Sequence, residues 1–249
     1  MTDIHAHILP GIDDGAPDMR QALQMAALAV GSGVKTVVAT PHCIDYAPTK
    51  NFWDARLIEK IEDFRSRLRD EKIPLEILPG MEIFGTERTP ELLRRGKLIG
   101  LNRSNYPLIE FAFYGYGAEA TDILQEIVNM GMRPIVAHPE RYDYILRQPA
   151  ILNIWAEMGC LLQINKGSLL GNFGEREQRL AFELVDRGFA FCVASDAHRS
   201  NRRTTRMTDT RLLLSDAFSP KTAQTLLRDN PKKIINNENI RWGEPRWFR

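Results

Sequence analysis

Apolar residues recur along this chain in two alternating patterns. Runs rich in β-branched residues predict buried strands, and apolar residues three or four positions apart predict amphipathic helices. The strand pattern occurs seven times, at Thr2–His5, Val34–Thr40, Leu75–Ile83, Leu108–Phe113, Pro134–Ala137, Cys160–Ile164 and Phe189–Ala194. The helix pattern occurs after the capping residue Asp18 and again at Phe52–Leu68, Thr89–Arg95, Thr121–Met130, Pro149–Met158, Glu175–Arg187, Asp209–Ala217 and Pro220–Asn230. The chain is therefore predicted to alternate strands and helices.

This alternation is typical of a parallel sheet with helices packed on its outside. An open, doubly wound sheet is one solution, but neither a G-x-G-x-x-G nor a P-loop sequence follows the first strand. We favour an α/β fold of one domain, a distorted TIM-like barrel of seven or eight strand–helix units. The domain is expected to span residues 1–249, with the last helices and a tail in residues 216–249.

Composition narrows the class of protein. Of the 249 residues, 43% are hydrophobic, and 33 basic residues nearly balance 32 acidic ones, for a net charge of +1. This balance predicts no nucleic-acid partner. The sequence lacks a signal-peptide core and an apolar stretch long enough to span a membrane. An odd count of three cysteines suits a reducing compartment, and we expect a cytoplasmic protein.

The positions of the histidines carry the functional information. All five lie at or just past the carboxyl end of a predicted strand: His5, His7, His42, His138 and His198. Four acidic residues lie in the same places, at strand ends, within a strand or in the loop after the first strand: Asp14, Glu82, Glu110 and Asp196. Because the carboxyl ends of barrel strands meet on one face, these nine side chains are predicted to cluster there.

Taken singly, these residues have ordinary explanations. Asp14 lies in an Asp-Asp-Gly turn sequence, and His42 could simply end a strand. Glu110 is less easily explained, because a carboxylate in an apolar strand is costly without a cation nearby. With nine such groups on one face and no histidine left over, a metal site is the better interpretation.

The ligand types indicate which metals could bind. Imidazole and carboxylate ligands without cysteine suit Mn, Fe or Zn. Nine ligands suffice for two to three divalent ions if Glu82 or Asp196 bridges, and clustered divalent ions typically catalyse phosphoester hydrolysis. Arg141 and Arg203 follow ligand histidines closely, so their guanidinium groups are candidates for holding phosphate oxygens. Arg202 and Arg206 are interpreted as surface charges.

Six ordered motifs resemble those of one bacterial group. They are Asp3–Gly15, Ala39–His42, Leu78–Ile83, Leu108–Phe111, Ala137–Arg141 and Ala194–His198. The chain resembles the PHP (polymerase and histidinol phosphatase) superfamily and, within it, the manganese-dependent tyrosine-protein phosphatases of capsular and exopolysaccharide operons. The resemblance covers residues 2–215.

The resemblance implies a seven-stranded distorted PHP barrel with a three-metal centre at the carboxyl ends of the strands. It further implies hydrolysis of phosphotyrosine on a partner protein, a bacterial tyrosine autokinase. The implied metal ligands are His5, His7, Asp14, His42, Glu82, Glu110, His138, Asp196 and His198. Arg141 and Arg203 are the implied substrate arginines. The glycine expected just before the second arginine is missing, which leaves Arg202 and Arg206 as alternatives.

The tail, residues 241–249, matches nothing in the family. We expect it to be a disordered terminus or an oligomer contact rather than a basic–aromatic docking segment. The sequence is compatible with a homo-oligomer.

Specific residues distinguish this chain from two other classes of hydrolase. A cysteine-based phosphatase needs an arginine six positions after its nucleophile, but Cys43, Cys160 and Cys192 are followed there by Thr49, Lys166 and His198. A typical amidohydrolase has a metal-bridging lysine on its fourth strand, where this chain has Glu110. Two alternatives remain: a small-molecule PHP phosphoesterase, such as a histidinol-phosphate phosphatase, and a metal-binding barrel without catalytic activity.

Overall fold

The computed structural model describes residues 1–47, 50–240, 243 and 245–249. Its strands are β1 (Thr2–Ala6), β2 (Thr36–Ala39), β3 (His42–Cys43), β4 (Glu76–Pro79), β5 (Glu82–Phe84), β6 (Leu108–Glu110), β7 (Ile135–Ala137), β8 (Leu161–Asn165) and β9 (Ala190–Ala194). Its α-helices are α1 (Met19–Gly31), α2 (Ala55–Asp70), α3 (Thr89–Arg94), α4 (Gly117–Asn129), α5 (Asp143–Arg147), α6 (Ile151–Glu157), α7 (Lys166–Leu169), α8 (Glu175–Arg187), α9 (Thr208–Ala217), α10 (Pro220–Gln224) and α11 (Asn230–Ile235).

The strands form a seven-membered parallel barrel in which two members are broken. Strand β2 continues after a break as β3, and β4 continues after a break as β5. The breaks divide the barrel into a three-stranded sheet with the order β1–β2–β4 and a six-stranded sheet with the order β3–β5–β6–β7–β8–β9. The barrel closes where the His7 N–H donates to the Ala197 carbonyl at 2.9 Å and the Asp196 N–H donates to the His5 carbonyl at 2.8 Å. The predicted single-domain, distorted seven-stranded barrel is confirmed.

The breaks follow from local chemistry. Pro41 lacks an N–H for the ladder. At Gly80, an added Cβ would lie 2.6 Å from Val38 Cγ1, so this close approach of two strands requires glycine. After the breaks, His42 and Glu82 are register partners in β3 and β5. The interruption thus brings an imidazole and a carboxylate to the same level of the barrel.

The C-terminal segment covers the amino-terminal end of the barrel. Asn102 Nδ2 and Arg133 Nη1 donate to the carbonyls of Ile235 and Ile240. Ile234 and Ile240 are buried with Ile4, Leu108 and other inward-facing strand residues. Because this end is closed by packing, the carboxyl end is the face left for a site.

The structure differs from the sequence predictions in several elements. Helix α4 begins at Gly117 rather than at residue 121, and the short helices α5 and α7 were not predicted. No helix in the described ranges has the length and apolar character needed to cross a membrane.

The end of the tail is ordered, which makes the prediction of a disordered terminus wrong for residues 245–249. Phe248 is buried against Phe189, its N–H donates to Asn153 Oδ1 at 3.0 Å, and the Arg246 N–H donates to the Arg187 carbonyl at 2.8 Å. Arg241, Trp242 and Glu244 lie outside the described residues, so the prediction is tested only for the last part of the tail.

Candidate metal centre

The structure brings all nine predicted ligand residues together at the carboxyl end of the barrel. Their side-chain nitrogen and oxygen atoms form four overlapping groups, each with its ligand atoms within 4.8 Å of one another. The groups are His7, Asp14, His42 and His198; His5, His7 and Asp196; His5, Glu82 and His138; and His42, Glu82 and Glu110. Except for Asp14, which is exposed, and His42, which is partly exposed, these residues are buried.

Glu82 lies at the centre of the cluster. Its Oε1 is 3.2 Å from His5 Nε2 and 3.0 Å from His138 Nε2, and its Oε2 is 3.2 Å from His7 Nε2 and 3.0 Å from His42 Nδ1. Although buried, Glu82 Oε2 and His42 Nδ1 make no hydrogen bond. A divalent cation would satisfy both of these atoms, and the imidazole and carboxylate donors suit Mn, Fe or Zn. The residues present therefore fit a divalent metal centre.

A surrounding set of polar residues orients the histidine rings. His7 Nδ1 is 2.7 Å from Asp13 Oδ2, His5 Nδ1 is 2.7 Å from Gln163 Oε1, and His198 Nδ1 is 3.0 Å from the Asp196 carbonyl. Such partners fix the tautomer and aim the other ring nitrogen at the metal position. The roles of Asp13 and Gln163 were not predicted from the sequence. A polar residue within the otherwise apolar run Cys160–Ile164 was the available signal for Gln163.

Asp196 divides its two oxygens between the ligand cluster and the arginines. Oδ1 lies 3.6 Å from His5 Nε2 and 3.5 Å from His7 Nε2. Oδ2 accepts hydrogen bonds from Arg203 Nη2 at 2.5 Å and Arg141 Nη1 at 3.4 Å, and from Asn165 Nδ2. One oxygen of this carboxylate therefore faces the candidate ligands, and the other is held by positive charge.

Both predicted substrate arginines stack on aromatic rings. The Arg141 guanidinium lies between Phe113 and Phe173, with its Cζ 4.5 and 4.2 Å from the ring centroids. Arg203 lies over the same Phe173 ring, at 5.7 Å. The structure thus places Arg203 beside Arg141. Within the described part of the chain, Arg202 does not stack on an aromatic ring. Neither phenylalanine was predicted from the sequence.

Three residues of the site have left-handed backbone conformations. The φ angles are 34° at His138, 47° at Asp196 and 50° at Arg203. Non-glycine residues adopt this region at a cost of about 1–3 kcal/mol each, and such strain clusters at functional sites. The surrounding contacts hold these side chains in orientations that a relaxed backbone would not favour.

Burial and neighbouring charges shift the pKa values of the ligand residues in opposite directions. Burial opposes a charge on His5, but the carboxylates of Glu82 and Asp196 outweigh it and hold the pKa of His5 above its ordinary value. Burial and the Glu82 charge raise the pKa of Glu110 to about 8, and burial lowers the pKa of His138 to about 4. Metal ligands must be deprotonated, so metal binding here would release protons.

The cysteines are unsuited to nucleophilic chemistry. Cys43, Cys160 and Cys192 are all buried and free, and burial raises the pKa of Cys43 and of Cys160 to about 12. A thiol with so high a pKa supplies almost no thiolate near neutral pH. This agrees with the exclusion of a cysteine-based phosphatase from residue spacing.

The sequence matches one protein family and several named bacterial proteins over most of its length. A family model described as capsular polysaccharide synthesis, CpsB/CapC, matches residues 1–236. The chain is 35% identical over 240 residues to the tyrosine-protein phosphatase YwqE of Bacillus subtilis (strain 168), covering 96% of this chain and 93% of that protein. It is 29% identical over 248 residues to the tyrosine-protein phosphatase CpsB of Streptococcus pneumoniae, covering 96% and 100%.

The fold is also similar over its whole length to a solved structure. That structure is one of the crystal structures of YwqE from Bacillus subtilis and CpsB from Streptococcus pneumoniae, which are described as unique metal-dependent tyrosine phosphatases. The two chains match with a TM-score of 0.94 and 34% identity, covering 100% of each.

Proposed function

The chain belongs to the CpsB/CapC family of capsular polysaccharide synthesis, and from this we propose that it is a metal-dependent tyrosine-protein phosphatase. Family membership confirms the prediction made from the six motifs. The observation that carries the proposal is the convergence of nine imidazole and carboxylate side chains beside two stacked arginines.

We infer that these nine residues are the metal ligands and that they hold two to three Mn²⁺ ions. When bound, divalent ions supply positive charge that attracts phosphate and lowers the pKa of water. Asp13 and Gln163 hold the rings of His7 and His5 in the orientation in which their other nitrogens would bind the ions. Asp14, exposed at the rim, lies 3.5 Å from His42 Nε2 and 3.4 Å from His198 Nε2, where it completes the outer group.

Arg141 and Arg203 bind the phosphate in this proposal. Each guanidinium carries five N–H donors in a planar fork, so a hydrogen bond to Asp196 leaves donors free for phosphate oxygens. Their side chains are mostly buried, with 17% and 25% exposed, which strengthens their interaction with charge that develops on the phosphate. Phe113 and Phe173 hold the guanidinium planes in place.

The physiological substrate is a further part of the proposal. We infer that it is a phosphotyrosine protein of capsular or exopolysaccharide synthesis, namely a tyrosine autokinase, and that the reaction takes place in the cytoplasm. The support is the family description together with the motif resemblance. A small-molecule phosphoesterase, such as a histidinol-phosphate phosphatase, is the alternative to be separated by assay.

One experiment tests the reaction class. Purified protein is analysed for metal content and assayed on a phosphotyrosine peptide and on histidinol phosphate, with and without chelator. We expect two to three metal ions per chain, hydrolysis of the peptide that is lost in chelator and restored best by Mn²⁺, and little hydrolysis of histidinol phosphate. Full activity in verified metal-free protein, or a preference for histidinol phosphate, would overturn the proposal.

A further inference from the structure

Two neighbouring cavities adjoin the candidate metal centre. The first, of about 640 Å³, is lined by the ligands Asp14 and His198 and by Arg202 and Arg203. The second, of about 750 Å³, also has Arg202 and Arg203 in its lining and extends to Arg206. The two cavities share Arg202 and Arg203 in their walls, and we name the two together the arginine groove. The groove lies along residues 199–206, beside the ligands Asp14 and His198.

The groove contains positive charge that the fold does not use. Arg203 is bonded to Asp196, and Arg199 donates to the carbonyls of Asp14 and Gly15. The exposed side chains of Arg202 and Arg206, in contrast, make no hydrogen bond or ion pair with any residue in the described parts of the chain.

The lining of the second cavity is strongly basic. Among its described residues, Asp209 is the one acidic side chain, against the four basic side chains Lys166, Arg202, Arg203 and Arg206. The excess of positive charge lies beside the position proposed for the phosphotyrosine phosphate, and it would attract an anion.

The backbone that carries these arginines is fixed at several points. Lys166 Nζ donates to the carbonyls of Thr204 and Arg206. The Thr205 hydroxyl donates to the Met25 carbonyl, and the Ser200 hydroxyl donates to Gln21 Oε1 at 2.8 Å. A loop held in this way presents its free guanidinium groups from a fixed backbone, so that binding of a partner orders only the side chains.

We propose that the arginine groove binds an acidic side chain that flanks the phosphotyrosine of the substrate, with Arg202 and Arg206 as its contacts. This deepens the proposed function and rests on it. Successive residues of an extended peptide are about 3.3–3.6 Å apart, so residues one to three positions from the phosphotyrosine reach roughly 10 Å along the groove. A guanidinium fork matches a carboxylate, and the phosphate of a second phosphotyrosine offers the same chemistry.

The test compares peptides that differ only in their flanks. Phosphotyrosine peptides carry aspartate, alanine, lysine or a second phosphotyrosine within three positions on either side, and kcat/KM is measured with Mn²⁺ at low and high salt. We expect the aspartate peptide to exceed the alanine peptide by about 3- to 10-fold at low salt, with the advantage reduced at high salt. A larger advantage for the doubly phosphorylated peptide would identify phosphate as the preferred anion.

Variants assign the effect to the groove. The double variant Arg202→Ala/Arg206→Ala should bring the aspartate-to-alanine ratio close to 1. The matched control, Arg67→Ala/Arg69→Ala on the exposed face of α2, removes the same charge and should keep the wild-type ratio. Hydrolysis of all peptides at equal kcat/KM, or an equal loss of the ratio in the control, would overturn this inference alone. Failure to hydrolyse any peptide would overturn the proposed function and the inference with it.

Discussion

At the scale of single residues, the two buried carboxylates Glu82 and Asp196 differ in what their oxygens face. Both oxygens of Glu82 lie among histidine nitrogens, at 3.0–3.2 Å, and the residue belongs to two of the four ligand groups. Asp196 belongs to one group, because its second oxygen is bonded to Arg203 and Arg141. Glu82 is therefore the better candidate for bridging two ions.

We predict that Glu82→Gln binds fewer metal ions per chain than either Asp196→Asn or Asp14→Asn, because an amide cannot bridge two ions as a carboxylate does. Elemental analysis of the purified variants checks this. Glu140→Gln is the matched control, since Glu140 is also fully buried but accepts from the Ser168 hydroxyl and the Asn165 N–H outside the ligand groups. Equal metal content in Glu82→Gln and Asp14→Asn would contradict the bridging role.

Arg141 contacts the site through Asp196 and through aromatic rings, and it belongs to none of the ligand groups. We predict that Arg141→Ala keeps its metal content and loses roughly 100-fold or more in turnover of a phosphotyrosine peptide, the scale of removing one charge-stabilising donor. Arg141→Lys should recover part of the rate, because an ammonium group lacks the bidentate fork.

The control for this variant is Arg147→Ala, on the exposed side of α5, where the arginine pairs with Asp143. It should retain the wild-type rate. If Arg141→Ala turns over the peptide normally, the phosphate site lies elsewhere; if it loses activity together with its metal, Arg141 is a structural residue.

At the scale of elements, the loops after β6 and between α7 and α8 act together. The first supplies Phe113 and the second Phe173, whose rings enclose the Arg141 guanidinium. The absence of a side chain at Gly167 allows this arrangement, because a Cβ there would lie 2.6 Å from the Phe173 ring. Phe173 is therefore a positioning residue for both arginines.

Phe173→Leu should lower kcat/KM by about 2- to 30-fold, the range of a cation–π contact of about 0.5–2 kcal/mol, with metal content unchanged. Phe173→Tyr should restore the wild-type value, because it keeps the aromatic face. Phe182 in α8 packs its ring against Phe218, away from the arginines. Phe182→Leu therefore controls for a general loss of packing and should leave kcat/KM near wild type. A wild-type kcat/KM for Phe173→Leu would show that the ring has no positioning role.

At the scale of the whole molecule, the metal centre links stability to pH. In the metal-free protein the pKa values of His5, His7 and His42 lie above their ordinary value, since neighbouring carboxylates outweigh burial. Burial raises the pKa of Glu110 to about 8. Burial lowers the pKa of His138 to about 4 and the pKa of His198 below its ordinary value, which acts in the opposite direction. Because the groups with raised pKa values outnumber these two, the folded state binds more protons than the unfolded state near pH 7. This stabilisation is lost as the pH rises through the folded-state values.

We predict that the melting temperature of metal-free protein falls between pH 6.5 and pH 8 and that added Mn²⁺ raises it more at pH 8 than at pH 6.5. Ions and protons compete for the same ligands, so binding is tighter when the histidines are neutral. When the free Mn²⁺ concentration is 100 times the Kd of a site, binding at that site adds about 2.7 kcal/mol to the free energy of unfolding. Thermal denaturation with and without Mn²⁺ at both pH values checks this, and equal metal-induced increments would contradict it.

The amino-acid sequence by itself determined the order of strands and helices and the barrel architecture. Period-two and period-3.6 patterns are local, and parallel strands place their carboxyl ends on one face whatever the details of packing. For this reason nine polar residues at predicted strand ends, from His5 to His198, could be expected to meet. The break at Gly80 was marked in the sequence by the Pro79-Gly80 pair inside the predicted strand. The continuation of β2 beyond Pro41 and the short helices α5 and α7 did not emerge, because segments of two to five residues carry too little periodicity.

The tertiary structure alone decided how these side chains are used. Gln163 orients His5 across 158 positions of sequence, Phe173 stacks on Arg141, and Phe248 packs on Phe189. It also decided that Arg203, rather than Arg202 or Arg206, bonds to Asp196. The physical reason is that a hydrogen bond or ring contact depends on distance and angle between residues far apart in the chain. A local pattern fixes the strand on which a residue lies, whereas packing of the whole barrel fixes what its side chain touches.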